Sequence, residues 1–197
     1  MSDIYTPGYL EVICGPMKSG KTGRLILELK RLDHTNLNYI AFKPDIDNRF
    51  SKGKLVSRGM SEEIDAKILN SEDPWRGLED YVLKDIDVFA FDEANFFSNE
   101  LIKIVRDFQI MGKSVLVSGL DLDFRGEPFG PMPGLLAMAD RVVKLPAGCD
   151  YEGCGKRANR TQRLIDGKPA HYNSPLILVG DEEYEARCLE HHEVPRS

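Results

Sequence analysis

The sequence predicts an α/β fold: a mostly parallel sheet with helices on both faces, and a small separate unit at its C-terminal end. Three observations predict it. Short apolar runs alternate with helix-spaced patterns over the first three quarters of the chain, the alternation expected of parallel strands joined by helical crossovers. The runs are short and β-rich and each precedes a polar turn, as strands buried on both faces do. After Pro146 the character changes, and cysteines, glycines and short strand-like pieces take over.

Taken in order, Leu10-Glu11-Val12-Ile13-Cys14 reads as a buried strand. The helix that follows has Leu25, Ile26, Leu29 and Leu32 on one face. Asn38 to Phe42 reads as a second strand, and Ile86-Asp87-Val88-Phe89-Ala90-Phe91 as a third. Residues Glu100 to Met111 place Leu101, Ile104, Val105 and Phe108 on one helical face. Ser114 to Ser118 and Arg141 to Leu145 complete the strands. Residues 44–62, polar and holding Pro44, Gly53 and Gly59, read as a loop or mobile hairpin. Residues 119–134, with four glycines and three prolines, read as an ordered but irregular loop. Pro146-Ala147-Gly148 marks the boundary between an α/β domain over residues 1–146 and a small domain over 147–197.

Size and charge narrow the function. A chain of 197 residues accommodates one domain plus a small appendix. Lysine and arginine total 26 against 32 aspartate and glutamate, a net charge of −6. Such a chain does not wrap nucleic acid by charge alone, although backbone amides and a few cations can still hold a small phosphate-bearing ligand. No apolar run approaches the roughly 18 residues that a membrane span needs. Met1 to Pro7 lack the basic start and apolar core of a secretory signal. A cytoplasmic protein with reduced thiols is expected, so its four cysteines point to a metal or to packing rather than to disulfides.

The strongest motif is Gly15-Pro16-Met17-Lys18-Ser19-Gly20-Lys21-Thr22. It fits the phosphate-binding pattern G-x-x-x-x-G-K-[ST] and lies between an apolar strand and a helix, the context that pattern requires. Its glycines let the backbone curl so that N–H groups converge on phosphate oxygens, and the helix adds its positive end. Lys21 is placed to bridge the outer phosphates and the Thr22 hydroxyl to hold Mg²⁺. The strand ending at Phe91 runs into Asp92 and Glu93. One carboxylate there can organise Mg²⁺, and the second can accept a proton from an attacking hydroxyl or water. Asp92 is assigned the first role and Glu93 the second. By chemistry alone these residues specify Mg²⁺-dependent transfer from a nucleoside triphosphate such as ATP, with the acceptor open. A zinc-ribbon ATPase acting on nucleic acid and a non-catalytic nucleotide-binding regulator stay compatible with them. The ATPase would need a basic ribbon, whereas residues 147–197 set nine acidic residues against basic ones that include Lys156, Arg157, Arg160, Arg163 and Lys168.

Cys149-x₄-Cys154 and Cys188-x₂-His191 form two knuckles of two ligands each, the donor set of a closed structural Zn²⁺ site. His192 adjoins His191, and the two-residue spacing favours His191. The site would pin a segment too small to have its own core. Cys14, inside the first strand, reads as a core thiol.

With these residues in hand, the sequence resembles the type II thymidine kinases, which carry a zinc-bearing lasso. The resemblance rests on the Pro-Met pair of the phosphate loop, on Phe91-Asp92-Glu93-Ala94-x-Phe96-Phe97, on Gly119-Leu120-Asp121-x-x-Phe124 with Pro128-Phe129-Gly130, on Arg160-Thr161-Gln162-Arg163, and on Val179-Gly180-Asp181-Glu182-x-Tyr184-Glu185-Ala186-Arg187-Cys188. It spans about residues 9–192. It implies that Glu93 deprotonates the 5′-hydroxyl of thymidine, with Asp47 and Arg49 near the phosphates and Arg49 stabilising the transferring group. It implies that Met17, Phe96, Leu120, Phe124, Phe129, Thr161 and Tyr184 surround the nucleoside. Without the resemblance, Phe96, Phe124 and Phe129 read as core rather than as site residues. The resemblance further implies a homotetramer, feedback by dTTP, and no nucleic-acid or membrane partner. The chain departs from the family pattern at Lys18, where an aromatic residue is usual, at Asn95, where glutamine is usual, and in the four-residue spacing of the first knuckle.

Overall fold

The computed structural model describes residues 6–46, 53–57, 61–82, 84–177 and 183–196. Along the first part run β1 (Leu10–Cys14), α1 (Lys21–Leu32), β2 (Tyr39–Pro44), β3 (Lys54–Val56), β4 (Glu63–Leu69), the single turn α2 (Glu79–Val82), β5 (Val88–Phe91), α3 (Glu100–Ile110), β6 (Ser114–Gly119), α4 (Met132–Met138) and β7 (Arg141–Lys144). They build a seven-stranded sheet in the order β3-β4-β2-β5-β6-β1-β7. Only β3 is antiparallel to its neighbour.

Alternation along each strand sends side chains to two cores. Phe89 and Phe91 of β5 pack with Leu10, Val12, Val115 and Val117 against Leu101, Ile104, Val105 and Phe108 of α3. Val88 and Ala90 point the other way, with Ile13 and Leu116, against Leu25, Ile26, Leu29 and Leu32 of α1. Both helical stripes read from the sequence are therefore the ones buried. Cys14 is 1% exposed and belongs to the first core, as a packing thiol would.

Two features depart from the sequence expectation. The segment read as a loop or mobile hairpin over 44–62 contains β3, the first strand of an antiparallel pair whose second strand, the unanticipated β4, extends the sheet. Three residues are too few to show a period. In β4, Glu63, Asp65 and Lys67 alternate with inward side chains, the pattern of a strand near the sheet edge rather than of a central one. The irregular loop over 119–134 gives way at Met132 to α4, hidden in the sequence by Pro133 and Gly134. Proline is tolerated there because the first-turn amides of a helix have no partner within it.

From Ala147 onward the described strands pair only with one another. They are β8 (Ala147–Gly148), β9 (Arg157–Ala158), β10 (Arg160–Ile165), β11 (Lys168–Pro169) and β12 (Glu183–Arg187), forming the sheets β8-β9 and β11-β10-β12. Their shared core is small: Cys149, Ala158, Ala186 and Cys188, with Ala147 and Cys154 against it. Among the described residues no helix is long and apolar enough to cross a membrane.

The topology decides where chemistry can sit. β5, β6 and β1 are consecutive and parallel, so their carboxyl ends open on one edge, with Cys14 opposite Gly119 and Phe91 opposite Val117. Gly15 leaves β1 at this edge with φ 145°, and a Cβ added to it would lie 2.1 Å from the Leu145 carbonyl oxygen. Gly15→Ala is therefore expected to push the loop off β7, costing about 2–4 kcal/mol. Scanning calorimetry should show Tm lower by about 5–15 °C for a chain of this size.

Candidate active site and metal centre

The loop after β1 folds onto its own carbonyl at Pro16. That oxygen accepts from Ser19 Oγ at 2.8 Å, from Ser19 N at 3.4 Å and from Lys21 Nζ at 2.8 Å. Gly20, with φ 82°, turns the chain into α1. Lys21 is 6% exposed. Burial pushes its ammonium down from the ordinary lysine range, and Glu93, Asp92 and Asp121 oppose that shift. The ammonium is thus buried at the Pro16 carbonyl, where the charges of these carboxylates favour its protonated form.

Thr22 Oγ1 lies 3.0 Å and 3.3 Å from the two carboxylate oxygens of Asp92. Asp92 is 5% exposed, and burial raises its pKa. A hydroxyl and a buried carboxylate side by side at the foot of a phosphate loop are the hard oxygen donors that suit Mg²⁺. Glu93 follows with φ 50°, a left-handed conformation rare for a residue with a Cβ. The turn Ala94–Phe96 starts from it, with Phe96 N donating to the Glu93 carbonyl at 3.0 Å. Glu93 is half-buried, and its charge is the strongest influence keeping the Lys21 ammonium protonated against burial.

The residues expected around the nucleoside fall into three groups. Phe96 and Phe129 meet edge to face with centroids 5.5 Å apart. Leu120 is held by its N–H, which donates to Asn95 Oδ1 at 2.8 Å. Gly130, at φ 50°, packs so closely that a Cβ would lie 2.3 Å from the Asn95 carbonyl oxygen. The loop after β6 is thereby clamped to the turn that carries Glu93. Phe124 is buried under the Arg163 guanidinium, 3.7 Å from its ring centroid. Thr161, 2% exposed, accepts from Met17 N at 3.1 Å, so it joins Met17 and the phosphate loop. Tyr184 stands opposite Arg163 in the β10–β12 ladder. Asp47 and Arg49 lie outside the described residues, as do Val179 to Glu182.

Sequence reasoning missed several residues here. Asn95 stands out in the sequence only as a departure from a pattern, yet it ties two loops together. Asp121, 7% exposed and 2.7 Å from Lys144 Nζ, has no role in the sequence reading. Its position at the end of a central strand is the same signal that singled out Asp92. Arg163 is fully buried, and its Nη1 donates to the Leu176 carbonyl at 3.3 Å. Nothing in a lone arginine on a strand announces burial.

The metal-ligand candidates converge. Cys149 Sγ, Cys154 Sγ, Cys188 Sγ and one nitrogen of His191 all lie within 4.8 Å of one another. A tetrahedral Zn²⁺ site has sulfur–sulfur edges of about 3.8 Å and sulfur–nitrogen edges of about 3.5 Å from its usual bond lengths. Here Cys154 and Cys188 sulfurs are 3.9 Å apart, and His191 Nδ1 is 3.4 Å from Cys188 Sγ and 3.7 Å from Cys149 Sγ. The residues fit the ion. Burial alone would raise the Cys149 thiol, but N–H groups of Cys188 and Tyr151, with His191 and Cys154, bring it down to about 6. It is therefore disposed to bind as thiolate. His192 turns elsewhere, its Nε2 2.9 Å from the Phe124 carbonyl oxygen. The wide spacing of the first knuckle is absorbed in a turn closed by Cys154 N to the Tyr151 carbonyl at 3.0 Å, and the Tyr151 ring stacks on His191.

A phosphate loop whose threonine meets a buried carboxylate, at the carboxyl edge of a parallel sheet, places the chain in the P-loop class. Comparison with known proteins narrows the class. The family model described as thymidine kinase matches residues 8–192. A thymidine kinase of Coprothermobacter proteolyticus is 48% identical over 196 residues, covering 99% of this chain and 96% of that protein. The chain belongs to the thymidine kinase family, and it is a nucleoside kinase that phosphorylates thymidine. Among solved structures, domain III of the Thermotoga maritima replication initiation protein DnaA is similar at a TM-score of 0.42 and 16% identity, over 71% of this chain and 56% of that one. That likeness is too slight to bear on fold or function.

Proposed function

We propose that the enzyme transfers the γ-phosphoryl group of ATP to the 5′-hydroxyl of thymidine, giving dTMP and ADP, with Glu93 as general base. The observation that carries this reading is the placement of Glu93 on a left-handed turn at the end of β5, clamped through Asn95 to the loop of Leu120, Phe124 and Phe129. In the proposed reaction Glu93 accepts the 5′-hydroxyl proton as that oxygen bonds to the γ-phosphorus. The bond from phosphorus to the β,γ-bridging oxygen breaks, and its electron pair leaves with ADP. Lys21 and backbone N–H groups at the start of α1 spread the charge of the transferring group. Arg49, with Asp47 near it, is assigned the same task on the resemblance alone. Mg²⁺ held near Thr22 and Asp92 would supply charge neutralisation across the phosphates.

The small sheets after residue 146 form the lasso domain in this reading, and Zn²⁺ on Cys149, Cys154, Cys188 and His191 fixes its base. Closure of the lasso over the nucleoside excludes water, so that hydroxyl and not water is the acceptor. A homotetramer in the cytoplasm, inhibited by dTTP, follows from the family resemblance. ADP release with ATP, Mg²⁺ and each deoxynucleoside in turn tests the proposal. Turnover should require thymidine; turnover indifferent to nucleoside and raised by DNA would replace it with the ATPase reading.

A further inference from the structure

The phosphate loop is fastened from outside at two adjacent residues. Lys18 occupies the left-handed region with φ 63°, a conformation a lysine leaves when nothing holds it. Its Nζ lies 2.8 Å from Asp150 Oδ2. The neighbouring Met17 N–H donates to Thr161 Oγ1 at 3.1 Å. Thr161 lies in β10, and Asp150, two residues past β8, is bonded to the strand next to it. Asp150 N donates to the Ala186 carbonyl at 2.8 Å, and Ala186 N returns a bond to Asp150 Oδ2 at 2.7 Å. Ala186 is in turn the ladder partner of Thr161. The row Asp150–Ala186–Thr161 therefore grips the outer turn of the loop, and Asp150 follows directly on Cys149 of the metal cluster.

We propose that the Lys18–Asp150 ion pair is a positioning device that holds the phosphate loop in its nucleotide-binding shape and ties that shape to the lasso base. The inference rests on the reading above, in which this loop binds ATP. Lys18 and Asp150 are positioning residues: the Lys18 side chain is turned to Asp150 and acts through the loop backbone. Their side chains are 42% and 31% exposed, so water screens the pair and the effect is modest.

The test uses calorimetric affinity for a non-hydrolysable ATP analogue alongside thymidine kinetics, on the full chain. Lys18→Met and Asp150→Asn should each weaken the analogue by about twofold to fivefold. The double variant should be no weaker than either single one, because both remove the same contact. The amide oxygen introduced by Asp150→Asn still accepts from Ala186 N, so the row itself persists. The KM for thymidine should move less than the KM for ATP. Lys156→Met is the control, removing an exposed pair with Glu190 in the same knuckle that does not touch the loop; it should leave the affinity unchanged. Additive losses in the double variant, or single variants matching the parent, would overturn the inference. Weakening by Lys18→Met alone would also overturn it, since Lys18 would then be gripping phosphate directly. A parent chain that binds the analogue but ignores thymidine would instead sink the proposed reaction and leave this inference standing.

Discussion

Glu93→Gln is expected to lower kcat for thymidine phosphorylation by about 10²–10⁴-fold, the usual contribution of a positioned general base. The substitution preserves shape and hydrogen-bonding length but removes the ability to take the 5′-hydroxyl proton. Glutamine meets the same backbone demand as glutamate at φ 50°, so the turn over residues 94–96 and its tie to Leu120 should survive. Affinity for ATP should hold or improve. Lys21 is stabilised as a cation by Glu93 first and by Asp92 and Asp121 after it, and removing one of these negative charges reduces repulsion of the triphosphate. Steady-state ADP release at saturating ATP and thymidine, with ATP affinity measured separately, checks both halves. A kcat within tenfold of the parent would remove Glu93 from the role of base.

Cys188→Ser should bring metal content from about one ion per chain to none, and thymidine-dependent turnover with it. Among the described residues after 146 the packed apolar cluster has four small members, two of them proposed ligands themselves. Burial of so little apolar surface cannot offset the entropy of ordering some fifty residues, whereas a structural Zn²⁺ site contributes on the order of 10 kcal/mol. Loss of the ion should therefore unfasten β8 to β12 while the seven-stranded sheet, with its two separate cores, stays folded. Emission spectrometry for metal and limited proteolysis give the readout: cleavage should be confined to residues beyond 146. His192→Asn is the contrast. Its ring meets the Phe124 carbonyl and lies outside the four-residue cluster, so metal content should be unchanged. Retained metal in Cys188→Ser, or loss of metal in His192→Asn, would refute the ligand assignment.

Much of the site was legible because its residues are contiguous. Gly15 to Thr22 is a single run whose spacing is a property of local backbone geometry, and Asp92-Glu93 lie where an apolar run stops. The stripes of α1 and α3 were legible for the same reason, since a period of 3.6 is written in neighbouring residues. The x₂ spacing likewise points to His191, the histidine that joins the cysteine cluster. The short edge strand β3, its partner β4 and the proline-bearing α4 were not legible. The first is too short to show a period, the second wears the polar face of a strand near the edge, and the third begins with residues that read as breakers.

Motif chemistry, strand–helix alternation and the donor set of the metal cluster are thus determined by sequence alone, because each is encoded over a few residues and needs only local bonding rules. Contacts between residues far apart in the chain were decided by the tertiary structure. Asn95 meets Leu120 only because β5 and β6 are parallel neighbours with open carboxyl ends. Lys18 meets Asp150 across 132 positions only because the segment after residue 146 folds back onto the loop. Arg163 is buried over Phe124 through the packing of β10 against the loop after β6. Such meetings depend on how whole elements pack, and no local spacing in the chain carries that information.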